Sequence, residues 1–152
     1  DVPGAIYYKR RLPHFERPWA KYMVSLTTRE RRNLSEAARD MVLKSLLFGH
    51  EQRRYQMYAA CVMPDHVHFL FEPQIKEQDK EGQPVFWSLT ELMHSIKSFT
   101  AHEINKVEKT AGQGGVNEAF DRMIRGDADL AEQCHSICRT PWEAGGVPRT
   151  AQ

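Results

Sequence analysis

The chain has 152 residues, 41% of them hydrophobic, which suits one domain that buries roughly two thirds of its unfolded surface in a single core. Its 21 basic and 20 acidic residues leave a formal charge of +1, which excludes a globally basic nucleic-acid binder and confines any such affinity to local patches. Three cysteines without a spaced framework exclude a disulfide scaffold and point to a reducing setting; with no signal peptide and no apolar run of spanning length, a cytoplasmic location is expected, without a membrane partner.

In chain order, the first dozen and a half residues read as a flexible extension carrying the basic run Lys9-Arg10-Arg11. Residues 22–28 alternate as a strand, with Tyr22, Val24 and Leu26 on one face and Met23, Ser25 and Thr27 on the other. A second basic patch, Arg29 to Arg32 interrupted by Glu30, leads to Ser35, the N-cap of a helix to about Phe48 with Ala38, Met41, Val42 and Leu46 on its core stripe and Gly49 as its stop. Arg53 and Arg54 form a third patch ahead of two strands, 55–63 and 66–72, joined around Pro64-Asp65. Ser88 and Glu91 have the spacing of a capping box, opening a helix to about Val107 that buries Leu89, Leu92, Met93, Ile96 and Ile104. A flexible glycine-rich loop at 110–115, a short strand near 119–125 and a last helix from about Asp127 complete the pattern. The order β-α-β-β-α-β-α predicts an α+β fold, a ferredoxin-like antiparallel sheet with helices on one face.

The second strand of the central pair carries His66 and His68. Residues two apart on a strand share a face, so both imidazoles project one way while Val67, Phe69 and Phe71 line the other. A lone His-x-His is the solvated face of an edge strand. Here apolar residues flank the pair on both sides, and a divalent ion shared by two neutral imidazoles would offset the cost of burying them.

The run from Val62 to Phe71, VMPDHVHFLF, resembles the HUH motif of the single-tyrosine HUH endonucleases, in particular the REP-associated tyrosine transposases and their insertion-sequence relatives. Further similarities follow in order: Tyr22 to Arg29 resembles the family's first strand, Ile96 to Thr100 its second long helix, Phe120 to Arg125 its late strand, and Pro141 to Val147 the stretch after its catalytic helix. The resemblance covers about residues 20 to 147, dividing the chain into an extension at 1–18, a transposase-like domain at 19–148 and a tail at 149–152. It implies a central-strand histidine pair holding Mg²⁺ or Mn²⁺, hairpin or other single-stranded DNA as partner, a homodimer as one arrangement, and a nucleoid-associated cytoplasmic protein. The implied chemistry is metal-assisted strand cleavage and transfer, in which a tyrosine attacks phosphorus and keeps the 5′-phosphate.

The last helix departs from that pattern. Counting back from Pro141, Ser136 stands where the resembled family has its tyrosine, and Thr140 where it has an asparagine beside the metal. A serine alkoxide is a poorer leaving group than a phenolate and reaches less far, so cleavage is expected to be crippled. Leu130, Cys134, Ile137 and Cys138 form a core stripe at helical spacing; the alternative puts the two cysteines with the histidines in a mixed zinc site. Glu132, Ser136 and Thr140 share another face, so Thr140, Glu132 or Gln133 are candidates for an oxygen ligand, against a solvated helix face. For DNA, the candidates are Lys9, Arg10, Arg11, Arg53, Arg54, Lys97 and Arg122. Three functions stand open: a transposase with impaired cleavage, a non-catalytic DNA-binding regulator of the same descent, and a small zinc hydrolase.

Overall fold

The computed structural model describes residues 17–109 and 115–143, without the side chains of 118–121 and 138–143. The expected extension (except its last two residues), most of the glycine-rich loop and the tail lie outside those residues.

β1 (Tyr22–Thr28) alternates buried and half-buried side chains along its whole length, as the sequence pattern requires. It leads through a 3₁₀ turn at Arg29–Arg31 to α1 (Glu36–Glu51), then β2 (Tyr55–Val62) and β3 (His66–Pro73). A short ribbon of β4 (Ile75–Gln78) and β5 (Pro84–Phe86) precedes α2 (Leu89–Glu108), β6 (Val116–Met123) and α3 (Asp127–Glu143). The main sheet has the order β2-β3-β1-β6 with antiparallel neighbours, so β1 and β3 are the central strands. This is the ferredoxin-like sheet expected, with the histidine pair on a central strand, but the helices are not confined to one face as the sequence pattern predicts, because the apolar stripe of the last helix needs a sheet face of its own.

Each sheet face carries its own core. On one, Tyr22, Val24, Leu26, Val67, Phe69 and Phe71 pack with Ala38, Val42 and Leu46 of α1 and Leu89, Leu92, Met93, Ile96 and Ile104 of α2. On the other, Ala59, Cys61, Met63 and Leu70 meet Ile124 and Ile137, with Leu130 and Cys134 beside them, so α3 covers the face opposite α1 and α2. A bulge between Met57 and Ala59 turns Tyr58 and Ala59 both toward the α3 side.

Local signals explain the helix starts. The Ser35 hydroxyl accepts from Ala38 N at 3.1 Å. Ser88 and Glu91 form both halves of the capping box, each hydrogen bond 3.0 Å long. Gly49 is not a stop, because α1 continues to Glu51. The ring and hydroxyl of Tyr55 lie against Gly49 where a Cβ would stand, and the left-handed residue after the helix is Arg53 at φ 60°. β6 begins at Val116, three residues before the expected start, because Val116 and Asn117 pair with Thr28 and Thr27.

Glu108 ties the end of α2 to the start of α1: it accepts from Ser35 N at 2.8 Å and from Arg32 Nη1 at 2.6 Å. Burial pushes its carboxyl upward, but the Ser35 hydrogen bonds and the Arg32 charge outweigh that and hold it below the ordinary carboxylate range. A depressed folded value stabilises the protein above the unfolded pKa, and that contribution fades as pH falls through the folded one. Glu108→Gln is therefore expected to cost about 1–3 kcal/mol at neutral pH and to flatten the acid limb of stability, as read by urea unfolding between pH 3 and 7. An unchanged acid limb would remove Glu108 from the account.

Candidate functional site

The antiparallel register lays the sheet out in rows. His68 stands between Cys61 on β2 and Ser25 on β1; His66 stands beside Thr27, whose other neighbour is Asn117 on β6. Both histidines thus face the α3 side with Leu70, while Val67, Phe69 and Phe71 point into the α1/α2 core. The two rings have centroids 5.0 Å apart at 75°. The His66 side chain is 24% exposed, open enough for an ion to reach and closed enough to fix the ring.

Each ring is gripped through Nδ1. His66 Nδ1 lies 2.8 Å from Asp65 Oδ1, and Arg31 Nε donates to the other carboxylate oxygen at 3.1 Å. The His66 hydrogen bond first, then Arg31, hold the Asp65 carboxyl below its ordinary range against the upward pull of partial burial. An ionised carboxylate only accepts, so Nδ1 carries the proton, and in the neutral ring that leaves the lone pair on Nε2, the tautomer that ligates a metal. His68 Nδ1 lies 3.2 Å from Ser25 Oγ.

The loop that supplies this grip is itself held. Thr28 N and Leu34 N donate to the carbonyls of Asp65 and Pro64 at 3.0 and 2.7 Å. Glu30 and Arg31 both adopt φ 57°, an uncommon pair of left-handed residues without glycine. Asp65, Arg31 and Ser25 were not legible as site residues. Asp65 precedes His66 directly, but only cross-strand register brings in Ser25, and only the turn brings in Arg31, 34 positions away.

Among the described residues no three His, Cys, Asp or Glu side chains stand together as a metal-holding group. Both Asp65 oxygens are engaged by protein groups, so it positions His66. On α3, Leu130, Cys134 and Ile137 pack on the sheet, as the core stripe predicts; the side chains of Cys138 and Thr140 lie outside the described residues. Glu132 is exposed, about 200° round the helix from Leu130, and is not brought to the histidines. Gln133 Nε2 reaches Asp129 at 3.4 Å, and Ser136 is half-buried beside buried Ile137. Two imidazoles on one face have the chemistry to hold a divalent ion, and oxygen donors from water or phosphate would have to complete its coordination.

Of the described tyrosines, Tyr22 and Tyr55 belong to the α1/α2 core and only Tyr58 lies on the histidine side. Its hydroxyl donates to Glu72 at 3.0 Å, and burial together with that carboxylate pushes its pKa up to about 12, the wrong direction for a nucleophile.

The basic candidates are dispersed. Lys9, Arg10 and Arg11 lie outside the described residues. Arg53 is exposed, Arg54 donates to Ser95 Oγ at 3.1 Å, and Arg122 is paired with Asp129 at 2.7 Å. Lys97 lines a cavity of about 320 Å³ with Arg29 of the second basic patch and with His94 and Asn117, the last two not among the expected DNA contacts. No helix among the described residues is long and apolar enough to cross a membrane.

No curated protein matches the chain by sequence. The structure of a REP-associated tyrosine transposase bound to a REP hairpin is similar over 88% of this chain and 73% of that one, with a TM-score of 0.62 and 16% identity, a likeness of fold. The sequence profile described as "Transposase IS200 like" matches residues 18–120, from just before β1 into β6, with both histidines inside the match and α3 beyond it. The chain belongs to the IS200-like transposase family.

Proposed function

We propose that this protein binds hairpin or other single-stranded DNA, holds Mg²⁺ or Mn²⁺ through His66 and His68, and has lost most strand cleavage because Ser136 occupies the nucleophile's place. One observation carries the reading: two histidines on one face of a central strand, rings 5.0 Å apart, with each Nδ1 held by a neighbour so that Nε2 is the ring nitrogen suited to a ligand. Family membership supports DNA as the partner, and the similar transposase solved with its hairpin supports structured single strands in particular.

A bound divalent ion would supply withdrawal of charge from a scissile phosphate. The chain's own part is orientation. Arg31 steadies Asp65, Asp65 fixes the tautomer and angle of His66, and Ser25 steadies His68. Ser136 on α3 favours a protein that binds and holds DNA over one that turns it over.

Fluorescence anisotropy tests the DNA part. A hairpin with a single-stranded extension is expected to bind more tightly than blunt duplex of the same length. Three phosphate contacts would weaken binding roughly twentyfold between 50 and 200 mM salt. Equal affinity for hairpin, linear strand and duplex would contradict the proposal.

A further inference from the structure

On the side of the sheet away from the histidines, two aromatic rings stand open. Phe48 on α1 and Phe99 on α2 are 49% and 46% exposed, whereas their helices' other apolar contacts are turned into the core. Their rings are near-parallel, 16° apart, with centroids separated by 6.5 Å. They rim a cavity of about 250 Å³ between α1 and α2 that also contains Ser45, Arg54 and Ser95. The Arg54 guanidinium lies 6.0 Å from the Phe48 ring centre and 5.2 Å from that of Trp87 while donating to Ser95 Oγ. The cleft therefore has aromatic walls, a cation held in its lining and, among the described residues, no carboxylate.

Across α2 lies a further cavity, whose described lining includes Arg29, His94, Lys97, Ser98 and Asn117. Ser95 and Phe99 face one cavity, and His94, Lys97 and Ser98 the other, so the two openings are about one helix diameter apart, on the order of 10 Å. Asn117 in that lining belongs to the sheet row that contains His66.

We propose that the Phe48–Phe99 cleft takes an unpaired base of single-stranded DNA, with Arg54 at its phosphate and the Arg29–Lys97 cavity holding phosphates farther along the same strand. Stacking rings interleaved with cations are the chemistry of single-strand binding, because every base presents a π-face and every nucleotide a negative charge. The cleft is smaller than the roughly 300–1,000 Å³ of sites for drug-sized ligands, which fits one ring system and not a whole cofactor. The inference rests on the DNA-binding reading above and adds the surface and the mode of contact.

The test uses the full chain and a short single-stranded oligonucleotide carrying 2-aminopurine at successive positions. Fluorescence is expected to fall on binding at one position, as a stacked base is quenched. Phe48→Ala and Phe99→Ala should each weaken binding on the order of tenfold and remove the quench, while Phe99→Tyr retains both. Because both rings are half-exposed, the melting temperature should change little. Unchanged affinity in the alanine variants, or a quench that persists in them, overturns the cleft but leaves DNA binding standing. Failure of every single-stranded and hairpin probe to bind the unmodified protein overturns both.

Discussion

Ser136→Tyr is expected to convert a protein that forms no covalent DNA adduct into one that does. As it stands, the chain offers no phenol on α3, and the one described tyrosine on the histidine side, Tyr58, is tied to Glu72 with its pKa raised. Removing a nucleophile from an enzyme built around one costs roughly 10³- to 10⁶-fold in rate, so the adduct should be undetectable before the substitution and visible after it. Half-buried Ser136 neighbours Ile137, which packs on the sheet that bears the histidines. Thr140→Asn is the second change to add, supplying an amide oxygen one turn later. Denaturing gels with a labelled hairpin and Mn²⁺ read the outcome. An adduct in the unmodified protein would refute the assignment of Ser136. No adduct in the double variant, on a hairpin that it binds, would mean that α3 no longer presents position 136 to the phosphate.

The second large effect is expected at the histidines. His66→Ala with His68→Ala should abolish the calorimetric signal for Mn²⁺ while lowering stability by about 1 kcal/mol for each lost hydrogen bond, a few degrees in melting temperature. Asp65→Asn should weaken Mn²⁺ by roughly 10- to 100-fold without removing a ligand, because an amide can no longer hold both the His66 Nδ1 proton and Arg31 Nε as an ionised acceptor. Undiminished Mn²⁺ affinity in the double variant would place the ion elsewhere.

Much of this fold was legible because its elements follow simple periods. β1 alternates without a break, Ser35 and Ser88 mark their helices, and the apolar run around His66 and His68 marks a strand, whose central place the family resemblance implies. The ribbon of β4 and β5 was missed because its strands are short and mostly exposed, with no buried face to alternate; it is held by pairing and by contacts such as Trp19 against Phe86 at 4.8 Å. Gly49 misled because a glycine near a helix end usually closes it, whereas here it makes space for Tyr55 from the next strand. The partners of the basic residues are not announced by the runs in which they stand. Arg31, Arg32 and Arg122 are spent on Asp65, Glu108 and Asp129, and Arg29 joins Lys97 in one cavity across 68 positions of sequence. Register and tertiary pairing decide these partners, and neither is written in local spacing.

The most direct test of the central claim is pulsed electron paramagnetic resonance on the full chain loaded with Mn²⁺. The account predicts nitrogen couplings from two imidazoles, reduced to one in His66→Ala or His68→Ala and to none when both are replaced. Bound Mn²⁺ with no imidazole coupling, or with couplings unmoved by these substitutions, would contradict it.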